Sequence, residues 1–282
     1  MTPTFTLSAF GDEISNDLAE QLETLVGLNI YQLDLRGAWS INVSMMEDGD
    51  ITQVKQMCSA YSVKISCLAS PVGKSPLVEP LQFEQERLER LMSIGNSLDT
   101  HLVRIFSFYP PDTSTNRHYD QYIPEVVERL GSLAHMAERE SFILVLENEK
   151  GIVTDTPERC LAVLQAVNSP ALRFAWDPAN FIQVGVAQPV QRGWSGLEPY
   201  IHYVHIKDAR LADGSVTPAG EGDGQLAELL TRLKAMGYQG TLSLEPHLQF
   251  AGHSSGFSGG EGMRMAASAL RKLMTRLDCQ EV

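Results

Sequence analysis

The chain has 282 residues, of which 43% are hydrophobic and 20% charged, a composition typical of a globular protein with a sizeable core. Its formal net charge of −13 at pH 7 argues against a nucleic-acid-binding protein, because phosphate backbones are bound through a basic surface. No apolar run reaches the about 20 residues that a membrane-spanning helix needs, so we expect neither nucleic acid nor membrane as a partner.

Short apolar segments alternate with helical segments along the whole chain. The predicted strands are FTLSAF (5–10), IYQLDLR (30–36), VKISCLA (63–69), LVRIFSF (102–108), FILVLENE (142–149), LRFAWD (172–177), IHYVHIKD (201–208) and TLSLEPH (241–247). Helical periodicity occurs at LAEQLETLVG (18–27), FEQERLERLMSIG (83–95), VVERLGSLAHMAER (126–139), LAELLTRLKAMG (226–237) and MRMAASALRKLMTRL (263–277). Helix ends are predicted at Gly27, Gly95 and Gly237, and a helix cap at Asp155 or Thr156.

This alternation predicts an α/β protein with parallel strands joined by right-handed crossovers. Eight strand–helix units are the number that closes a (β/α)8 TIM barrel, so we expect a single barrel domain over residues 1–282. A doubly wound open sheet is the alternative. It is disfavoured because no G-x-G-x-x-G motif follows the first strand and because eight units exceed its usual number.

The four cysteines (Cys58, Cys67, Cys160 and Cys279) are widely spaced and form no C-x-x-C pair. That spacing is typical of free thiols in a reducing compartment rather than of a disulfide framework or a zinc ribbon. The first ten residues, MTPTFTLSAF, lack the basic and apolar segments of a secretory signal. The predicted location is therefore the cytoplasm.

The loop PAGEGDGQ (218–225) is rich in glycine and leads into a predicted helix. Such loops can bind anions, but Glu221 and Asp223 would repel one. We interpret the loop as a tight turn with a helix cap.

Polar side chains follow the predicted strands at their carboxyl ends, which is the edge where TIM barrels have their active sites. Acids follow the first two strands (Asp12, Glu13 and Asp34, the last beside Arg36), and acidic or imidazole side chains follow the last four: Glu147, Asp177, His205 and Glu245. Buried carboxylates repel one another and need a cation. Three carboxylates and one imidazole therefore predict a divalent metal site, for Mn²⁺, Mg²⁺, Co²⁺ or Zn²⁺.

Other interpretations of these residues remain open. An acid at a strand end often caps the next helix, and a single histidine such as His205 is more often structural than a ligand. His202 is a rival ligand in the same strand. Lys207 either takes part in the chemistry, by polarising an oxygen or relaying a proton, or forms a salt bridge with Glu149 or Asp208.

Read from SAFGDEIS (8–15) through LENEKG (146–151), DPANF (177–181) and VHIKDA (204–209) to LSLEPHL (242–248), the chain resembles the sugar phosphate isomerase/epimerase superfamily of xylose isomerase-like TIM barrels. The resemblance implies metal ligation by Glu147, Asp177, His205 and Glu245. Family ketose epimerases have a substrate-contacting histidine where this chain has Asn180. Their arginine beyond the seventh strand is matched by Arg210, and family members commonly form dimers, so a homodimer is a further expectation.

The predicted function is that of a metal-dependent sugar or sugar phosphate isomerase or epimerase, which removes a proton next to a metal-bound carbonyl and forms an enediolate. Its predicted catalytic residues are Glu147, Glu245 and Lys207, and its predicted substrate-binding residues are Arg104, Asn180, Arg210 and His247. A small carbohydrate is the expected partner. The alternatives are an inosose-type dehydratase, a non-catalytic sugar-binding barrel and, against the acidic net charge, a metal-dependent endonuclease.

Overall fold

Eight parallel strands close into a barrel in the computed structural model, which describes residues 4–111, 119–248 and 258–282. The barrel strands are β1 (Thr4–Phe10), β2 (Gln32–Leu35), β3 (Lys64–Leu68), β4 (Leu102–Ile105), β5 (Ile143–Glu147), β6 (Leu172–Trp176), β7 (Ile201–Ile206) and β8 (Thr241–Leu244). Each strand pairs with the next, and β8 returns to β1, with Thr6 opposite Thr241 and Ala9 opposite Leu244. The predicted single-domain TIM barrel is confirmed, and the open-sheet alternative is wrong.

Helices surround the barrel and join its strands. The described helices are α1 (Leu18–Gly27), α2 (Asp48–Ala60), α3 (Leu81–Leu98), α4 (Ile123–Arg139), α5 (Pro157–Val167), α6 (Pro178–Gln183), α7 (Pro189–Leu197), α8 (Leu226–Ala235) and α9 (Gly259–Arg276). None of the helices in these ranges combines the length and apolar character needed to cross a membrane.

The two faces of each strand have different environments. In β7, Val204 and Ile206 belong to the large apolar core between the strands and the helices, whereas Tyr203 and His205 lie inside the barrel. Four interior side chains form a small apolar cluster of their own: Cys67, Val145, Ala175 and Tyr203. Because side chains alternate along a strand, one residue in two is available to point a polar group into the barrel.

The predicted helix ends were correct at two of the three glycines. Gly237 has a φ of +75° just after α8, the left-handed conformation that favours glycine, and Gly27 is the last residue of α1. The prediction for Gly95 is wrong, since α3 continues to Leu98 and ends before Asp99, whose φ is +59°. A Cβ on Gly95 would lie 2.6 Å from the Phe142 ring, so this glycine allows close packing inside the helix.

The helix cap was also predicted, and several helices were not. Thr156 is the N-cap of α5, and its side chain accepts a hydrogen bond from the Arg159 backbone. The predicted helical segments do not include α2, α6 or α7, and of α5 only the cap was predicted. Helix α2 has few apolar residues, and α6 has six residues, too few to show a period. All four cysteines are buried free thiols, as expected.

The loop after β7 is organised by one carboxylate. Asp208 Oδ1 accepts hydrogen bonds from the backbone N–H groups of Ala209 and Gly224 at 2.9 Å. Its Oδ2 accepts those of Gly220 at 3.0 Å and Gly222 at 3.1 Å. The segment interpreted above as a tight turn is thus wrapped around Asp208, next to the barrel edge that carries the polar strand ends.

Candidate metal centre

The side chains of Glu147, Asp177, His205 and Glu245 meet at the carboxyl ends of β5 to β8. Each offers one ligand atom, and these atoms all lie within 4.8 Å of one another. His205 Nδ1 is 3.2 Å from Glu147 Oε1, 3.8 Å from Asp177 Oδ2 and 3.8 Å from Glu245 Oε2. The closed barrel brings together side chains that are up to 98 positions apart in sequence, Glu147 and Glu245 being the extremes. We call these four residues the ligand cluster.

The ligand cluster is buried and only partly satisfied by hydrogen bonds. All four residues are at most 3% exposed. Within the described part of the chain, Asp177 Oδ2 and His205 Nδ1 have no hydrogen-bond partner, although charged groups lie at ion-pair distance. The Asp177 oxygen has an ion pair with Lys207, and a cation bound between the two atoms would be coordinated by both of them. The residues present therefore fit a divalent ion with mixed oxygen and nitrogen ligands.

The pKa values in the ligand cluster have the direction expected of a cation site. Burial opposes ionisation of Glu147, but the charges of His205 and Arg104 outweigh it and lower its pKa to about 2. Burial likewise opposes protonation of His205, and Glu147 and Asp177 overcome it and raise its pKa to about 10. Both shifts mean that the carboxylates favour positive charge at their centre.

Lys207 is part of this centre. Its side chain is 6% exposed, and its Nζ lies 2.8 Å from Asp177 Oδ2 and 3.0 Å from Glu245 Oε2. Burial opposes its charge, but these two carboxylates raise its pKa well above the usual value. The alternative salt bridges with Glu149 and Asp208 are not the ones formed, since Glu149 pairs with Lys74 at 3.1 Å and Asp208 binds backbone N–H groups.

Arg104 and Asn180 both hold Glu147. Arg104 Nη1 lies 3.1 Å from Glu147 Oε2, and the same guanidinium donates to the backbone carbonyls of Ala69 and Ser70. Asn180 Nδ2 donates to Glu147 Oε1 at 3.1 Å. Their predicted contact with substrate stays a prediction, while their contact with Glu147 fixes the orientation of its carboxylate.

Arg36 holds the opposite carboxylate, Glu245, together with two acids from the end of β1. Its three guanidinium nitrogens donate to Asp12 Oδ2 at 2.7 Å, Glu13 Oε1 at 2.9 Å and Glu245 Oε1 at 2.7 Å. His247 Nε2 lies 3.1 Å from Glu245 Oε1 and is half-exposed, with 38% of its side chain accessible. His247 is thus placed where a ligand above Glu245 can reach it.

Arg210 and His202 are exposed, unlike the buried residues of the ligand cluster. Arg210 is exposed, and its backbone forms the hairpin in which Asp208–Ala209 pairs with Val216–Thr217. Its predicted contact with substrate stays a prediction. His202 is exposed on the outer face of β7, so the geometry favours His205 as the histidine of the site.

A buried carboxylate, Asp34, was not among the predicted site residues. Asp34 accepts hydrogen bonds from Ser8 and Tyr203, both at 2.6 Å, and from Ser243 at 2.7 Å. Burial raises its pKa, against the effect of these three hydroxyl donors. The available signal was its position at the end of β2, one of the strand-end acids noted in the sequence.

Comparison with known proteins identifies the family. The family model for the xylose isomerase-like TIM barrel matches residues 21–275. The chain belongs to this family. The resemblance inferred from the strand-end motifs is thereby confirmed.

Similar proteins of known sequence or structure support the same fold. The uncharacterized protein MJ1311 of Methanocaldococcus jannaschii is 26% identical over 155 residues, which are 52% of this chain, and the match spans about half, 51%, of that relative's length. The crystal structure of IOLI protein with a binding zinc atom has a TM-score of 0.78 at 16% identity, covering 97% of this chain and 99% of that one. A D-tagatose 3-epimerase-like protein has a TM-score of 0.76 at 17% identity, covering 97% and 98%.

Proposed function

We propose that this protein is a divalent-metal-dependent sugar isomerase or epimerase, with a small ketose or related carbohydrate as its substrate. The observation that carries the proposal is the ligand cluster: three buried carboxylates and one imidazole within 4.8 Å, at the edge where barrels of this fold carry their active sites. Two similar structures add support, one a D-tagatose 3-epimerase-like protein and the other a protein with a bound zinc.

The metal would be held by Glu147, Asp177, His205 and Glu245, with Mn²⁺, Mg²⁺, Co²⁺ and Zn²⁺ as the candidate ions. When bound, it supplies Lewis-acid chemistry, making a C–H next to a substrate carbonyl more acidic. Proton transfer and hydrogen bonding to the substrate are carried out by side chains of this protein.

Glu147 and Glu245 are the proposed proton-transfer residues. They come from β5 and from the end of β8, on opposite sides of the ligand cluster, and each has one oxygen held by an arginine: Glu147 by Arg104 and Glu245 by Arg36. A carboxylate fixed in this way presents its other oxygen in one direction. One glutamate can then remove a proton from one face of the substrate while the other, in its protonated form, delivers its own proton to the opposite face, which is an epimerisation.

Lys207 and His247 are proposed to act on substrate oxygens. The Lys207 ammonium lies between Asp177 and Glu245, so it can donate a hydrogen bond to an oxygen that gains negative charge when the proton leaves. His247 is half-exposed beside Glu245 and can contact a hydroxyl group. Arg104 and Asn180 act through Glu147.

Deuterium uptake from heavy water tests this function. A panel of ketoses and inososes is incubated with the protein and Mn²⁺, and exchange at carbon is followed by NMR and mass spectrometry. Exchange that requires the metal and is abolished by Glu147→Gln is the expected result. The matched control is Glu149→Gln, because Glu149 lies two residues after the same strand but pairs with Lys74. Equal, metal-independent exchange in both variants, or no exchange with any sugar, would contradict the proposal; loss of water from an inosose would indicate a dehydratase.

A further inference from the structure

We infer that Lys207 is a built-in counter-ion of the ligand cluster, which lowers the affinity of the site for divalent metal and stabilises the protein when no metal is bound. The inference rests on the proposed metal centre and concerns how strongly that centre binds. It starts from the position of Lys207 Nζ, which contacts Asp177 Oδ2 at 2.8 Å and Glu245 Oε2 at 3.0 Å.

These two oxygens face the place a metal would occupy. Both lie 3.8 Å from His205 Nδ1, the atom by which the histidine would bind the ion. The ammonium of Lys207 therefore shares its two carboxylate partners with the metal. A lysine charge and a divalent ion held by the same carboxylates repel each other, and the repulsion is strong because the site is buried.

Few other carboxylates are available to form an ion pair with Lys207. Glu149, an acid at the same rim, is paired with Lys74 at 3.1 Å, and Asp208, the next residue in the chain, accepts four backbone hydrogen bonds. Glu147 is held by Arg104. Among the described residues, Glu147, Glu149 and Asp208 therefore already have other partners. Metal binding must either tolerate the Lys207 ammonium or displace it to a position without a new ion pair.

The same contact has the opposite effect without metal. Glu147, Asp177 and Glu245 are three buried carboxylates, and leaving a buried charge uncompensated is strongly destabilising. Lys207 supplies one positive charge that no ion needs to provide. Replacing it with an uncharged residue should therefore make the protein depend more on metal for its stability.

The test is Lys207→Met, with direct titration of Mn²⁺ and Zn²⁺ by calorimetry and thermal unfolding with EDTA and with excess metal. We expect the metal dissociation constant to fall by about tenfold or more. We also expect a lower melting temperature in EDTA and a larger rise on adding metal. Lys207→Arg, which keeps the charge, should bind metal within about threefold of the wild type, and it serves as the folded variant if the methionine variant is insoluble.

Lys74→Met is the matched control, because Lys74 is a partly buried rim lysine that pairs with Glu149 and lies outside the ligand cluster. It should leave metal affinity unchanged. If Lys207→Met binds metal as weakly as the wild type or more weakly, or if Lys207→Arg binds tightly like the methionine variant, the inference is wrong while the proposed function stands. If no variant binds metal, the proposed metal centre itself is refuted and the inference with it.

Discussion

The Asp208 carboxylate offers the most direct test of how the loop beside the site is held. Its two oxygens accept four backbone N–H groups at 2.9 to 3.1 Å, and the residue is fully buried. In Asp208→Asn one oxygen becomes an NH₂ group, which cannot accept. At least two of the four N–H groups then lose their acceptor and face another donor.

The magnitude follows from these two lost bonds. A buried hydrogen bond to a charged group is worth about 1.5–3 kcal/mol, so Asp208→Asn should reduce the free energy of unfolding by about 3–6 kcal/mol. For a protein of this size that is a decrease of about 5–10 °C in melting temperature. Urea unfolding followed by tryptophan fluorescence measures the first quantity, and calorimetry the second.

Asp213→Asn is the control, because Asp213 lies in the same hairpin but is exposed and caps only Ser215. It should leave the unfolding midpoint nearly unchanged. A loss of less than about 1 kcal/mol in Asp208→Asn would refute the reasoning, since single unsatisfied buried donors already cost that much.

Three further outcomes are expected. Glu245→Gln should abolish turnover while leaving the circular dichroism spectrum intact, because it removes a proposed ligand and base; near-normal rates would exclude Glu245 from the mechanism. Burial raises the pKa of Asp34 in the folded state, so its ionisation costs stability as the pH rises above the unfolded value of 3.8. Asp34→Asn should therefore gain stability relative to the wild type as the pH rises above 3.8, and a difference that does not change with pH would contradict this. Gly95→Ala should destabilise the protein by about 1–3 kcal/mol, because its Cβ would meet Phe142 and the Thr100 carbonyl. Gly131→Ala in α4 should instead stabilise the protein by about 0.5–1 kcal/mol, because its Cβ would meet open space. Urea unfolding of the two variants measures both changes, and the opposite sign in either would contradict the reasoning.

The strands were predictable because each carries its own local pattern. Each of the eight predicted apolar segments overlaps a barrel strand. The period of two placed Tyr203 and His205 on one face and Val204 and Ile206 on the other. The helix pattern was weaker where the apolar face is short, as in α6, or poor in apolar residues, as in α2. These helices form because tertiary contacts stabilise them, which a local pattern does not record.

The grouping of the four strand-end side chains was predictable from the sequence, and their individual contacts were not. Polar residues at the ends of parallel strands must meet at one edge once the barrel closes, so Glu147, Asp177, His205 and Glu245 could be grouped from the sequence. The partners of Lys207 could not be predicted, since Asp177 and Glu245 are 30 and 38 positions away. On charge alone, Glu149 and Asp208 were equally good choices.

By itself the sequence determined the architecture, since the order and spacing of apolar segments suffice to specify eight strands and the face of each. Only the tertiary structure decided which charged groups form ion pairs. Arg36 pairs with Glu245, Arg104 pairs with Glu147, and Lys207 lies between two proposed ligands. The physical reason is that the two properties depend on residues at different separations along the chain. A side-chain period is a property of neighbouring residues, whereas an ion pair in a buried site depends on distances of about 3 Å between atoms that only the closed barrel brings together.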